Sequence, residues 1–132
     1  MNALVFVEYT KRFDQIMCSF PPGAWQARTK PATELPAPTS ELRNAYLRYL
    51  NLCAEEFFLL SQNYLSVRVW LIWEAELQRT LRSALFAREW AELRAEFDAH
   101  PPFQAYVEAV MAGSHSALKG GWAARAVRYL KG

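Results

Sequence analysis

Apolar residues recur along most of this chain at intervals of three and four, the period of one face of an α-helix. In the first segment, about residues 2–19, they fall at Phe6, Tyr9, Phe13, Ile16 and Met17, with Glu8, Lys11, Arg12 and Asp14 on the other faces. Pro21-Pro22-Gly23 stops that pattern. Thr39-Ser40-Glu41 opens the next helix, and Ser40 is the expected N-cap because its hydroxyl can accept an orphan amide hydrogen bond. One stripe of this helix reads Leu42, Tyr46, Tyr49, Cys53, Phe57 and Leu60, and a second reads Leu47, Leu50, Ala54 and Phe58. A helix apolar over more than half its circumference packs on several sides, so this one is expected at the centre.

Asn63 and Ser66 mark a break and a restart. The third pattern carries Trp70, Trp73, Leu77 and Leu81 on one face with Val69 and Ile72 beside them, while Glu74, Glu76, Gln78, Arg79 and Arg82 form its expected polar complement. The two tryptophans could stack on a ligand, but their spacing with Leu77 and Leu81 is that of a core stripe. A fourth pattern places Phe86, Trp90, Leu93 and Phe97 together, with a kink or short break expected at Ser83. Arg88 with Glu92, and Arg94 with Asp98, have the spacing of i,i+4 ion pairs. His100-Pro101-Pro102 ends this element, because the residue before a proline is pushed out of the α region. Phe103, Tyr106, Val107, Val110 and Met111 form a fifth helix that Gly113 closes, and Leu118 to Leu130 predicts a last one. With no strand-like alternation and no repeat, residues 1–132 are expected to form one all-α domain, a compact bundle of five or six helices.

Between the first two helices, residues 20–39 hold five of the seven prolines, which fix φ and remove backbone donors. Twenty residues is long for a connector inside a compact domain. The segment is either a linker or a strap pinned by Phe20, Trp25 and Leu35, and the three bulky anchors favour the strap.

Composition narrows the class. The chain has 132 residues and is 52% hydrophobic and 21% charged, outside the low-hydrophobicity, high-charge regime of disordered chains. Its net charge of +2 does not by itself mark a polyanion binder, but the distribution is uneven. From His115 onward there are four cations, Lys119, Arg125, Arg128 and Lys131, and no acid. Cys18 and Cys53 both lie in apolar helical patterns and are expected as reduced core residues. The start Ala3-Leu4-Val5-Phe6-Val7 is cut off by Glu8 and does not read as a signal peptide, and no apolar run approaches the ~18 residues of a membrane span. A cytoplasmic protein is the expectation.

Patterns that carry chemistry are sparse. The sequence contains no glycine-rich phosphate loop, paired Cys-x-x-Cys, His-Glu-x-x-His or nucleophile elbow, and neither His100 nor His115 has a glutamate three residues before it. No cofactor, metal ligand or catalytic residue is assigned. Glu89, Glu92 and Glu96 share a face that reads as solvated. Glu56 lies nearest the apolar side of its helix and, if buried, needs a partner, for which Arg68 and Arg79 are candidates. An enzyme would have to use Glu56 or a loop histidine in a pocket beneath the strap.

The segment 114–132 combines Lys119, Arg125, Arg128 and Lys131 with Trp122 and Tyr129, a mixture that suits a nucleic-acid backbone or an anionic surface. The same residues equally describe a final helix docked by its aromatics with solvated arginines. Trp25, inside the strap, either anchors it or contributes to a pocket.

The run from Arg48-Tyr49-Leu50-Asn51 through Cys53-Ala54-Glu55-Glu56-Phe57-Phe58 resembles a block found in a family of small helical bacterial proteins of uncharacterised function. The resemblance extends to Glu8-Tyr9-Thr10-Lys11-Arg12-Phe13-Asp14, to Val69-Trp70-Leu71-Ile72-Trp73-Glu74 and to Phe86-Ala87-Arg88-Glu89-Trp90, covering about residues 3–110. It implies an α-helical fold and a bacterial or phage origin, and supplies no reaction. The leading expectation is a non-enzymatic protein–protein interaction or regulatory module, with a protein partner or a second copy bound through a helix face or the strap. Trp25, Lys119, Trp122, Arg125, Arg128 and Lys131 are its candidate contact residues. The alternative is a nucleic-acid-binding accessory protein that uses the basic segment.

Overall fold

A computed structural model describes residues 3–113, and within them the fold is all-α. The five helices are α1 (Ala3–Ser19), α2 (Ser40–Ser61), α3 (Val67–Leu81), α4 (Ala84–Leu93) and α5 (Pro101–Met111), with short 3-10 turns at Gln26–Thr29, Ala32–Glu34 and Arg94–Phe97. No strand occurs among the described residues.

Local chemistry sets the boundaries. Ser66 and Ser83 cap α3 and α4, their hydroxyls accepting from the Val69 and Phe86 amides at 3.2 and 3.1 Å. The break expected at Ser83 therefore separates two helices. At the start of α2 the cap is Thr39 rather than Ser40: Thr39 holds the extended conformation a cap requires, and its Oγ1 accepts from the Leu42 amide at 3.1 Å. Helix α2 ends with Asn63 in the left-handed region at φ 64°, where the Asn63 amide donates to Leu60 and the Tyr64 amide to Leu59. That pair of bonds is a Schellman turn, which asparagine tolerates better than a β-branched residue would. Gly113, at φ 79°, plays the corresponding part after α5.

Helix α2 is the central element, as its double stripe predicts: α1, α3 and α4 all pack on it, and α5 closes against α3. Trp70, Tyr46, Tyr106 and Phe86 are among the largest fully buried side chains. Phe57 joins Trp70, Phe103 and Tyr106 in edge-to-face and tilted contacts with ring centroids 5.3–5.9 Å apart, an arrangement worth about 0.5–1.5 kcal/mol per pair beyond area burial.

The proline-rich segment is a strap. Phe20 is buried edge-on against Tyr46 at 5.0 Å, Trp25 meets Tyr49 at 5.3 Å, and Leu35 packs on the core. Arg28 stacks over Trp25 at 4.0 Å, bonds Glu76 at 2.5 Å and Thr80 at 2.9 Å, and so fastens the strap to α3. Arg88 holds its far end by donating to the Pro36 carbonyl at 2.7 Å.

Several surface expectations change. Cys18 is exposed because α1 packs chiefly on α2 and turns this position outward, whereas Cys53 is buried; both thiols are free. Phe58, in the second stripe of α2, is 59% exposed beside the turn before α5. Arg94 does not pair with Asp98. The chain tightens into a 3-10 turn there, which takes i and i+4 off a common face, and Arg94 instead forms a two-point pair with Glu108 of α5. Arg88 turns toward the strap and Glu89 rather than toward Glu92.

Candidate functional site

Three glutamates lie at or near the apolar interior, and their surroundings differ. Glu74, expected on a polar face, is buried. Its Oε2 accepts from the Trp70 indole at 3.2 Å and from the Tyr106 hydroxyl at 2.6 Å, tying α3 to α5. Burial, followed by the Glu74 hydrogen bond, raises the Tyr106 hydroxyl far above an ordinary phenol. Glu89, expected on a solvated face, is fully buried at 0% exposure and is held by Arg43 at 3.1 Å and Arg88 at 3.0 Å. Glu92 and Glu96 do remain exposed. Glu74 and Glu89 are structural acids with their hydrogen bonds satisfied.

Glu56 is the exception. Half-buried on α2, it makes no hydrogen bond and no close ion pair among the described residues. Neither Arg68 nor Arg79 reaches it: Arg79 lies 3.5 Å from Glu76, and Arg68 is exposed at the start of α3. Burial raises the Glu56 carboxyl to about 8, offset in part by the charge of Arg12 and reinforced by that of Glu55. Arg12 is itself committed to Glu55 through two bonds of 2.9 and 2.5 Å. That pair holds the Glu55 carboxyl below its ordinary range.

Glu56 faces a cavity of about 320 Å³ between α1, α2 and α3. Tyr9 and Phe13 line it from α1, Tyr49 and Cys53 from α2, and Trp73 from α3. Burial raises the Tyr49 hydroxyl and the Cys53 thiol well above their ordinary values, so both are neutral groups. Trp73 is not a core residue like Trp70. It is half-buried, packs against Tyr9 at 6.3 Å, and is covered on its outer side by a stack with Phe6 at 6.1 Å. The cavity is not beneath the strap, and Trp25 does not line it.

At the edge of this cavity Ile72 lines it and Phe6 covers Trp73, and both Ile72 and Phe6 are exposed. Leu4, Phe6 and Val7 of α1 and Val67, Leu71 and Ile72 of α3 are all exposed, Leu4 and Ile72 at 81% and 67%. Large apolar groups left in water and grouped on adjoining elements mark interaction surfaces. A second, larger opening of about 750 Å³ lies between α2 and the start of α5, where Phe58 and the exposed His100 flank it.

Of the residues the sequence singles out, Trp25 is taken up by strap packing, while Lys119, Trp122, Arg125, Arg128 and Lys131, with His115, lie outside the described residues. Among the described residues no group of three or more His, Cys, Asp or Glu side chains could hold a metal ion, and no helix is long and apolar enough to cross a membrane. The aromatic wall around Glu56 went unrecognised in the sequence, although Glu56 itself was legible as an acid on an apolar face. Tyr9, Phe13 and Trp73 belong to two separate helical patterns, and only packing brings them together. No family model matches the chain, and no curated protein or solved structure matches it at a significant level.

Proposed function

We propose that the protein is a non-enzymatic helical interaction module of bacterial or phage origin, and that it docks an apolar protein surface, such as the apolar face of a partner helix, on α1 and α3. The observation that carries this reading is the exposure of six large apolar side chains, Leu4, Phe6, Val7, Val67, Leu71 and Ile72, on α1 and α3, two helices that touch through the Phe6–Trp73 stack. Outside α1 and α3 only Phe58 and Tyr64 are large apolar side chains left exposed among the described residues, so six of the eight lie on these two helices. The basic segment supports the alternative, nucleic-acid reading only through its composition.

The test compares the wild-type chain with a Leu4→Glu, Leu71→Glu variant, whose changes fall on exposed apolar positions of α1 and α3. Light scattering on a sizing column measures self-association, and pull-down from bacterial lysate measures foreign partners. The reading expects one stoichiometric companion, a second copy or another protein, that the wild type retains and the variant loses. A monomeric wild type that retains nothing, or a companion held equally by both chains, overturns it.

A further inference from the structure

We propose that the cavity between α1, α2 and α3 is a binding site for a small organic cation of the alkylammonium class, held against the rings of Tyr9, Phe13 and Trp73 and paired with the Glu56 carboxylate. The site borders the apolar face proposed above and shares Ile72 with it, but its argument does not rest on that reading.

The argument starts from what the cavity offers. Its volume of about 320 Å³ is at the lower end of small-ligand sites. Four aromatic residues line it, Tyr9, Phe13, Tyr49 and Trp73; Tyr9 and Trp73 stand 6.3 Å apart, centroid to centroid, in a tilted arrangement, and the Arg12 guanidinium lies over the Tyr9 ring at 5.1 Å. Aromatic faces attract cations through the ring quadrupole, most strongly where water is excluded. A neutral apolar molecule would use the same walls but would leave Glu56 without a partner.

Charge decides between the classes. On α1, Arg12 is the cation closest in effect to Glu56, but both of its outer nitrogens are bound to Glu55, so that pair is neutral as a unit. On α3, Glu76 is neutralised by Arg28 of the strap at 2.5 Å and by Arg79 at 3.5 Å. On α2, Tyr49 and Cys53 are uncharged in the accessible pH range. Glu56 is the acid facing the cavity whose counter-charge the described residues do not supply. An anion would meet aromatic faces and would oppose ionisation of Glu56, whereas a cation stabilises the ionised form that no other group at the site stabilises fully.

Glu56 also gives binding a proton signature. In the empty site its carboxyl stays protonated up to about pH 8. A cation favours the ionised form, so binding below that pH expels the proton to solvent. The transfer is a plain acid–base step: the Glu56 O–H bond breaks, the electron pair stays on the carboxylate, and water or buffer takes the proton.

The probe is choline, whose charge does not titrate, set against its uncharged carbon isostere 3,3-dimethylbutan-1-ol and measured by calorimetry on the full chain. Choline is expected to bind, to bind at least tenfold more tightly than the isostere, and to tighten as pH rises from 6 toward 8, levelling above that. At pH 7 the heat should vary with the buffer's ionisation enthalpy in the sense of proton release. Glu56→Gln, nearly isosteric, should abolish both the proton release and the preference for choline. Trp73→Leu should weaken choline at least tenfold while leaving the proton release of any residual binding intact. Circular dichroism establishes that each variant is folded. No binding at millimolar choline, an isostere that binds as well as choline, or an unchanged preference in folded Glu56→Gln overturns the proposal.

Discussion

Trp70 and Trp73 sit three residues apart on one helix, and the fold uses them in opposite ways. Trp70 is enclosed: its ring touches Phe57 and Tyr106, and its indole N–H ends on Glu74, which Tyr106 also binds. Trp73 looks the other way, toward α1, where it is sandwiched between Phe6 and a cavity with an acid lacking a close partner. On the α3–α5 side Glu74 has its partners in Trp70 and Tyr106, whereas on the α1 side the Glu56 carboxyl has no close partner and Phe6 and Ile72 stand exposed. Low-dielectric surroundings make an unsatisfied group costly, so the two sides are expected to respond differently to substitution.

The largest expected effect separates the two tryptophans directly. Trp70→Ala should lower stability by about 3–5 kcal/mol, the range for deleting a fully buried large aromatic, with Glu74 and Tyr106 losing a neighbour as well. Trp73→Ala should cost less than half as much, because its ring is already partly in water. Chemical denaturation of both variants measures the difference, and equal losses would mean that the α1 side is as tightly built as the α5 side.

Next in size is a pH effect from Glu56. Its folded pKa is raised to about 8 from an ordinary 4.5. Below 4.5 both folded and unfolded chains hold the proton, and the full stability is present. Between these values the unfolded chain releases the proton and the folded chain keeps it, so stability falls as pH rises, by a few kcal/mol in all, and levels above about 8. Glu55 and Glu108 are lowered by Arg12 and Arg94, so their contributions are lost only as pH falls through the acid range. The two windows do not overlap. Urea midpoints taken from pH 5 to 8 should therefore slope downward in the wild type and be flat in Glu56→Gln.

The smallest effect lies in the core. The Tyr46 hydroxyl is buried without a hydrogen-bond partner, and burial pushes its pKa upward. Tyr46→Phe removes an unsatisfied group while keeping the ring contacts with Phe20 and Phe86. It should be neutral or stabilising by up to about 1 kcal/mol. A clear loss on thermal melting would show that this hydroxyl has a partner in solution and that the core side is less dry than it looks.

The helices, the breaks at Ser66 and Ser83, the centrality of α2 and the anchoring of the strap by Phe20, Trp25 and Leu35 were legible along the chain, while the cap of α2 fell one residue earlier than expected, at Thr39. These depend on the 3.6-residue period, on capping hydroxyls and on prolines, which act over a few residues. Tertiary structure alone decided which acids are buried and with whom. Glu74 and Glu89 read as polar-face residues because periodicity assigns a side chain to a face but does not say which faces another helix will cover. Tyr106 and Arg43 come to them from other helices and Arg88 from the residue just before Glu89, and the Glu56 cavity needs α1, α2 and α3 at once. Sequence alone thus determined the elements of this protein, because their signals are local. Packing decided its candidate site, because that site consists of side chains from three helices that have no relation along the chain until they touch.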